Sequence, residues 1–224
     1  MKAKPLLTWI SANALGLGVG FVASLQTGML IEFGFDTEMH WNFTPPPGQS
    51  DYAARLVALL VGGTMLGWAQ ALVLRSRAVL VLPWILSTAA GFGVLVIAVI
   101  WPLMWADLWG RFPGPVEPII ILVGGGSLAG VFQYLSLRRE GIVASRWLAL
   151  WVGGLVASLV PAALLFTLLE GPLGLSLSWP VQTLLSGSVV AGVAAMISGK
   201  ALFAALSRRP EQFDRPGPVS AGAV

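Results

Sequence analysis

The sequence predicts an all-α fold: a polytopic membrane bundle of six transmembrane helices, arranged as three tandem hairpins. Hydrophobic residues make up 56% of the 224-residue chain and charged residues only 10%, with a mean hydropathy of +0.82. This composition leaves too little polar surface to cover a soluble protein of that length. Two internal spacing patterns predict the hairpin repeat and are compatible with pseudo-threefold symmetry.

The apolar segments are each near the ~20 residues that a helix needs to cross the hydrocarbon layer. They occupy roughly Leu6–Phe33, Ala53–Leu74, Val79–Trp105, Ile119–Leu137, Trp147–Leu169 and Pro180–Leu206. The predicted hairpins cover about 6–75, 79–138 and 147–207, inside a transmembrane domain of residues 1–209. The stretch 210–224 is rich in Pro, Gly and small residues and is predicted to be a disordered cytoplasmic tail. The first segment shares the repeat pattern, which disfavours a cleaved signal peptide.

Basic residues concentrate on one side of these segments. Cytoplasmic loops are enriched in Lys and Arg, so both termini are predicted to be cytoplasmic, with the chain in the inner (plasma) membrane of a cell. The basic side carries Lys2, Lys4, Arg75, Arg77, Arg138, Arg139, Arg146, Lys200, Arg208, Arg209 and Arg215, against the acids Glu140, Glu211 and Asp214. The other side carries Arg55 and Arg111 against Glu32, Asp36, Glu38, Asp51, Asp107, Glu117 and Glu170.

The first spacing pattern joins a tryptophan, a glycine and a carboxylate on the odd-numbered segments. It occurs as Trp9/Gly16/Glu32, Trp84/Gly91/Asp107 and Trp147/Gly154/Glu170. The interval from tryptophan to carboxylate corresponds to roughly 35 Å of helix, about the thickness of a bilayer core with some headgroup. Tryptophans and carboxylates at this spacing are ordinary interfacial anchors. The alternative is that the three carboxylates form a ligand-binding cluster at the outer end of the bundle.

The second pattern lies on the even-numbered segments, which share glycines on one helix face, a glutamine and a final basic residue. The glycines predict close helix packing, and the glutamines either bond across helices or line a polar cavity. The first copy is Gly63, Gly67, Gln70 and Arg75, and the second is Gly126, Gly130, Gln133 and Arg138. A weaker third copy keeps Gly192 and Lys200 but has Ala195 in place of the glutamine, which disfavours a ring of three amides.

The basic residues of this pattern mark the inner face of the bundle. Arg75 and Arg138 end their apolar segments, whereas apolar residues continue past Lys200 to Leu206. A lysine side chain at that depth can extend along the helix to the headgroups. A buried lysine with a charged partner is the alternative.

Catalytic and metal-binding constellations are missing from the sequence, so no enzyme activity, cofactor or metal is expected. The chain has no cysteine, which excludes disulfides, thiolate metal sites and cysteine nucleophiles. Ser127 lies in a glycine-rich setting of the kind used by intramembrane serine proteases, but the sixth segment has no histidine to act as its base. His40 is the only histidine and makes a weak metal site. A lipid-modifying enzyme using the outer carboxylates with Arg111 stays open.

Two segments in register carry a family resemblance. Gly67–Arg75 and Gly130–Arg138 each end in a Gln-x-Leu-x-Leu-Arg stretch and are followed by Trp84 or Trp147 at the start of the next helix. They resemble a loosely defined group of uncharacterised bacterial multi-pass membrane proteins with repeated Gln-aromatic-Leu-x-Leu-Arg hairpins. The resemblance covers the second to fifth helices, departs from the pattern at Ala71, and implies no activity.

Two functions are consistent with these features. The first is a scaffold, assembly or accessory subunit of a membrane complex, which needs no polar pathway. The second is a transporter or small-ligand or lipid-binding protein with acids at its outer mouth, which membrane-buried charge would favour. The expected partners are the lipid bilayer and either another membrane protein or a second copy of the chain. The small net charge of +3 makes nucleic acid a poor partner.

Overall fold

The computed structural model describes residues 3–36, 49–75, 81–106, 108, 119–170 and 179–208, which form helices and short turns with no β-strand among them. Three helices are uninterrupted: α1 (Ala3–Asp36), α2 (Gln49–Leu74) and α6 (Trp179–Leu206). The other three have internal changes. α3 consists of Val81–Leu95, a π-helical segment Val96–Ile100 and Trp101–Trp105; α4 of a π-helical segment Ile120–Gly125 and Gly126–Arg139; α5 of Ser145–Ala157 and Leu159–Glu170.

All six helices are long and apolar enough to cross a membrane. The qualifying stretches are Lys4–Ser24, Arg55–Leu74, Val81–Trp105, Ile120–Arg139, Ser145–Leu165 and Leu184–Leu206. The predicted all-α class and the six membrane-length helices are therefore confirmed, as expected of a multi-pass membrane protein. The predicted tail 210–224 lies outside the described residues.

Two of the odd-numbered helices depart from regular α-helix near a proline. In α3 the π-helical segment Val96–Ile100 directly precedes the turn that contains Pro102. In α5 the two segments meet at Ser158, three residues before Pro161. A proline has no N–H to donate, so the carbonyl one turn earlier loses its helical partner and the helix deforms locally.

Helices that are consecutive in the chain pack against each other, and contact between the last helix and the first closes them into a ring. Each helix contacts the next one along the chain, and α6 also contacts α1. The largest fully buried side chains are four tryptophans: Trp9, Trp84, Trp147 and Trp151. The largest side chains of the core are therefore indole rings contributed by all three odd-numbered helices, and the aliphatic side chains of the core surround them.

Glycines allow the closest approaches between neighbouring helices. A methyl group on Gly16 would lie 2.8 Å from Cβ of Ala69 on α2, and one on Gly154 would lie 2.9 Å from Cα of Ala194 on α6. On Gly91 it would overlap the backbone of Ala129 on α4. Backbone contact of this kind provides the van der Waals attraction that holds helices together in lipid, where the ordinary hydrophobic drive is missing.

The alternation of helix directions places most of the described basic side chains at one end of the bundle, called here the basic end. They are Lys4, Arg75, Arg138, Arg139, Arg146, Lys200 and Arg208, and each of them is exposed. Charged groups at such positions reach water or headgroups without crossing the apolar layer.

Candidate functional site

The main polar feature of the interior is a hydrogen-bonded cluster around Gln70, near the basic end. The Gln70 side chain is 1% exposed and forms hydrogen bonds to side chains of three other helices. Its Nε2 donates to Oδ1 of Asn13 on α1 at 2.6 Å. Its Oε1 accepts from Nε1 of Trp84 on α3 at 3.0 Å and from Nε2 of Gln133 on α4 at 2.6 Å. This one amide therefore connects four helices.

Asn13 and Thr88 connect the cluster to the helix backbones. Asn13 Nδ2 donates to the carbonyl of Trp9 at 2.8 Å, which fixes the amide along its own helix. Thr88 Oγ1 accepts from Gln133 Nε2 at 2.7 Å and donates to the carbonyl of Trp84 at 2.9 Å. A buried polar group is stable in an apolar interior only when its hydrogen bonds are made, and most in this cluster are.

Three polar side-chain atoms that belong to buried residues have no hydrogen-bond partner among the described residues. They are Oε1 of Gln133 and the Nε1 atoms of Trp9 and Trp147. Two of these atoms belong to the tryptophan-lined core, where the rings of Trp84 and Trp147 lie 6.1 Å apart. An unpaired buried donor or acceptor lowers the stability of the fold by about 1–3 kcal/mol. Each of these atoms would therefore be stabilised by a hydrogen-bond partner.

The repeated tryptophans do not act as interfacial anchors. Trp9 is 0% exposed, and Trp84 and Trp147 are each 1% exposed. An anchoring tryptophan has to present its ring to the headgroups, whereas these rings pack against other helices. This corrects the anchor interpretation for the tryptophans, whose spacing reflects the core.

The structure places the glycines of the even-numbered helices against the next odd-numbered helix. Methyl groups on Gly63 and Gly67 would come within about 3 Å of Ala89 and Thr88 on α3. A methyl on Gly126 would lie 2.9 Å from Leu155 Cδ1, and one on Gly130 would lie 2.6 Å from Trp151 Cδ1, both on α5.

Gly192 differs from those four glycines. A methyl group there would meet only Ala14 Cβ of α1, at an ordinary 3.5 Å. The tight contacts between α6 and α1 lie elsewhere: a methyl on Gly199 would lie 2.8 Å from Trp9 Cδ1, and one on Gly18 of α1 would overlap Ser188 Oγ of α6. The sequence pattern did not single out Gly199.

The outer carboxylates cannot be assembled into a site from the described residues. Asp107 lies outside them, as does His40, and Glu32 and Glu170 lie on α1 and α5 with side chains that the structure does not describe. Within the described part of the chain no group of three or more His, Asp or Glu residues is placed to hold a metal ion. The two interpretations of the carboxylates, as interfacial anchors and as a ligand-binding cluster, both stay hypotheses.

The three inner-face basic residues lie on or directly after three different helices. All three are exposed at the basic end: Arg75 directly after α2, Arg138 on α4 and Lys200 on α6. Lys200 differs from the other two because it lines a groove between α5 and α6, together with Arg146 and Arg208. Its side chain is exposed, as expected of a lysine that extends toward the headgroups.

Sequence reasoning missed Asn13, Thr88 and Trp151, although a spacing marks them. Each lies four residues after a repeated tryptophan, and thus on the same face of its helix. All three are buried, and each forms a hydrogen bond. Trp151 Nε1 donates to the carbonyl of Gly126 at 2.9 Å, directly between α5 and α4.

The described interior is suited to holding helices together. Its buried polar residues are amides and hydroxyls, and no buried charged residue occurs among them: Asn13, Ser24, Gln70, Thr88, Gln133, Ser158 and Ser198. Comparison with known protein families, curated proteins and solved structures finds no match to this chain. Its function is therefore argued from these contacts.

Proposed function

We propose that the protein is a scaffold, assembly or accessory subunit of a membrane complex, located in the inner (plasma) membrane with both termini cytoplasmic. The observation that carries this proposal is the cluster around Gln70. Its hydrogen bonds join α1, α2, α3 and α4 directly, side chain to side chain. Polar groups that hydrogen-bond to one another in this way stabilise a fixed arrangement of helices. Few of their donors and acceptors are then available to bind a transported substrate.

The charge distribution supports the same function. Transport pathways usually contain ionisable side chains within the membrane, paired or facing a cavity. The buried polar residues of the described chain are neutral, and most of its basic side chains are exposed at one end. The bundle therefore has the properties of a rigid body that offers its outer surface to lipid and to a protein partner.

We also propose that the bundle consists of three related hairpins with pseudo-threefold symmetry. Corresponding positions of the first two copies make corresponding contacts. Gly63 faces Phe92 as Gly126 faces Leu155, and Gly67 faces Ile85 as Gly130 faces Leu148. All these pairs are related by the same shift of sixty-three residues. Common contacts at a common spacing are what an internal repeat is expected to produce.

Crosslinking in intact cells tests the scaffold function. A photoreactive residue is placed at one exposed apolar position of each helix in turn: Leu15, Trp68, Leu86, Leu135, Val156 and Met196. We expect one discrete protein adduct, of a second copy or of another membrane protein, confined to adjacent helices. The remaining positions serve as matched controls and should give lipid adducts. Lipid adducts at all six positions contradict the scaffold function.

The second candidate, a transporter or small-ligand protein, is favoured by one observation. Oε1 of Gln133 is buried and has no partner among the described residues, so it can accept a hydrogen bond from a small polar solute. Purified protein in liposomes then should conduct a neutral solute such as glycerol or urea, and Gln133→Leu should abolish that flux. The measurement is the rate at which liposomes change volume after an osmotic shift with each solute. Equal rates for liposomes with and without the protein, for both solutes, exclude this candidate.

A further inference from the structure

A groove opens at the basic end between α5 and α6. It has a volume of about 360 Å³, within the range of small-molecule sites. Its walls come from the first turns of α5 and the segment before it, and from the last turns of α6. Lipid and headgroups have direct access, because Val143, Ile197 and Ala204 on its edges are exposed.

Three basic side chains line this groove. Arg146 extends from the start of α5, while Lys200 and Arg208 lie on and just after the last turns of α6. Lys200 and Arg208 are separated by roughly 12 Å along the direction of α6. None of the three forms a side-chain hydrogen bond or ion pair within the described part of the chain. The groove therefore has a concentrated positive charge without a counter-charge among the described residues that line it.

The other side chains that line the groove are apolar, and several of them are small. On α6 the lining includes Ala201, Ala204 and Ala205, whose small side chains leave the space open. On α5 it includes Leu150 and the buried Trp147, whose Nε1 has no hydrogen-bond partner among the described residues. A molecule that fits this groove has an anionic group for the basic residues and a hydrocarbon part for the alanines and Leu150.

We propose that this groove binds an anionic phospholipid from the leaflet at the basic end. The phosphate of the headgroup is held by Lys200 and Arg146, with Arg208 nearer the aqueous edge, and an acyl chain runs along Ile197 and Leu150 toward the membrane interior. Basic pockets between transmembrane helices are suited to such headgroups, because the cations gain an anion without leaving the interface. This inference goes beyond the scaffold function and holds whatever the protein assembles with.

The groove also accounts for the position of Lys200. Apolar residues continue for another turn and a half after it, to Leu206, so its side chain starts further from the helix end than those of Arg75 and Arg138, which lie at or next to the ends of their helices. A lysine at that depth is stabilised when the phosphate of a lipid lies next to its ammonium group. Binding then orders a lipid at the joint between α5 and α6.

Native mass spectrometry of the purified protein tests the proposal, with phosphatidylglycerol as the anionic lipid and phosphatidylcholine as the zwitterionic comparison. We expect retained phosphatidylglycerol, and a loss of affinity of about fivefold for each of Lys200→Gln and Arg146→Gln, the effect of one basic residue near a membrane surface. Arg139→Gln is the matched control, since Arg139 is an exposed basic residue at the same end outside the groove. Its affinity should change by less than about twofold. An equal loss for Arg139→Gln means diffuse attraction and overturns the site.

A second variant keeps the charge and fills the space. Ala204→Trp should lower phosphatidylglycerol retention while the melting temperature stays near that of the parent, because Ala204 is exposed on the groove wall. It tests the site even where a charge variant fails to fold. Glycerol 3-phosphate added at millimolar concentration distinguishes a lipid from a soluble phosphate. Displacement of the lipid by glycerol 3-phosphate, or undiminished retention in Ala204→Trp, overturns the proposal.

Discussion

Gln70 is a neutral side chain whose removal affects more of the bundle than its size suggests. Its amide accepts two hydrogen bonds and donates one, to partners on three other helices. Each interhelical bond of this kind contributes about 0.6 kcal/mol on average and at most about 1.7 kcal/mol. The stabilisation by Gln70 therefore depends on the number of bonds that it joins.

Gln70→Leu is expected to lower the free energy of unfolding by about 2 kcal/mol, three bonds of average strength. The measurement is reversible unfolding in mixed micelles or bicelles. Trp68→Leu, on the same helix but 57% exposed, is the matched control and should have little effect. In a double-mutant cycle with Trp84→Phe, which removes one donor, the losses should be less than additive. Additive losses would falsify the direct bond between Gln70 and Trp84.

The roles of individual residues followed from the sequence only in part. Gln70 and Gln133 were identified by their repeated spacing, and the structure brings both amides together. Asn13 was not identified, because a lone asparagine in an apolar segment gives no indication of its partner. Burial of the tryptophans was mispredicted for a related reason. Lipid is as apolar as a protein core, so hydropathy cannot show which face of a membrane helix is buried.

Adjacent glycines on α5 provide a sharp test of helix packing. Gly154 faces α6 so closely that a methyl group would lie 2.9 Å from the Ala194 Cα, whereas a methyl on Gly153 would meet nothing within 4 Å. Gly154→Ala is expected to destabilise the bundle by about 1–3 kcal/mol, the usual cost of overpacking. Gly153→Ala should be neutral or stabilising by up to about 1 kcal/mol, since alanine favours the helix.

Melting temperatures of the two variants in one detergent decide the matter. The pair differs by one position on one helix and carries the same chemical change, so differences in expression or detergent binding are largely controlled. Equal melting temperatures would show that α5 and α6 do not approach each other as described.

Helix positions were predictable because the bilayer restricts their lengths. The sixth apolar segment was predicted as Pro180–Leu206 and the helix is Trp179–Leu206. The irregular segments within the helices were harder to predict from the sequence. The change at Ser158 can be related to Pro161, but the π-helical segment Ile120–Gly125 contains no proline and ends in consecutive glycines. Its hydrogen-bonding pattern depends on what packs around it, which the local sequence does not contain.

At the scale of the whole molecule, the orientation in the membrane can be tested directly. Because basic residues concentrate at one end, Gly48, Pro113 and Gly174 are expected to be extracytoplasmic. The chain has no cysteine, so single cysteines at these positions report without background. They should react with an impermeant thiol reagent on intact cells, while cysteines at Ser76 and Gly141 should react only after lysis. The reverse pattern means that the bundle is inverted.

The contact between the last helix and the first also has a consequence for the order of synthesis. Ribosomes release α1 first and α6 last, yet Trp9 reaches its tight contact only when Gly199 arrives beside it. Until then one flank of α1 has only lipid or an assisting protein to cover it. The hydrogen bonds of Gln70 need only α1 to α4, so they can form earlier. Assembly of this protein is therefore expected to proceed in two stages, and a nascent chain that stops before residue 199 should be the species that quality-control proteases recognise.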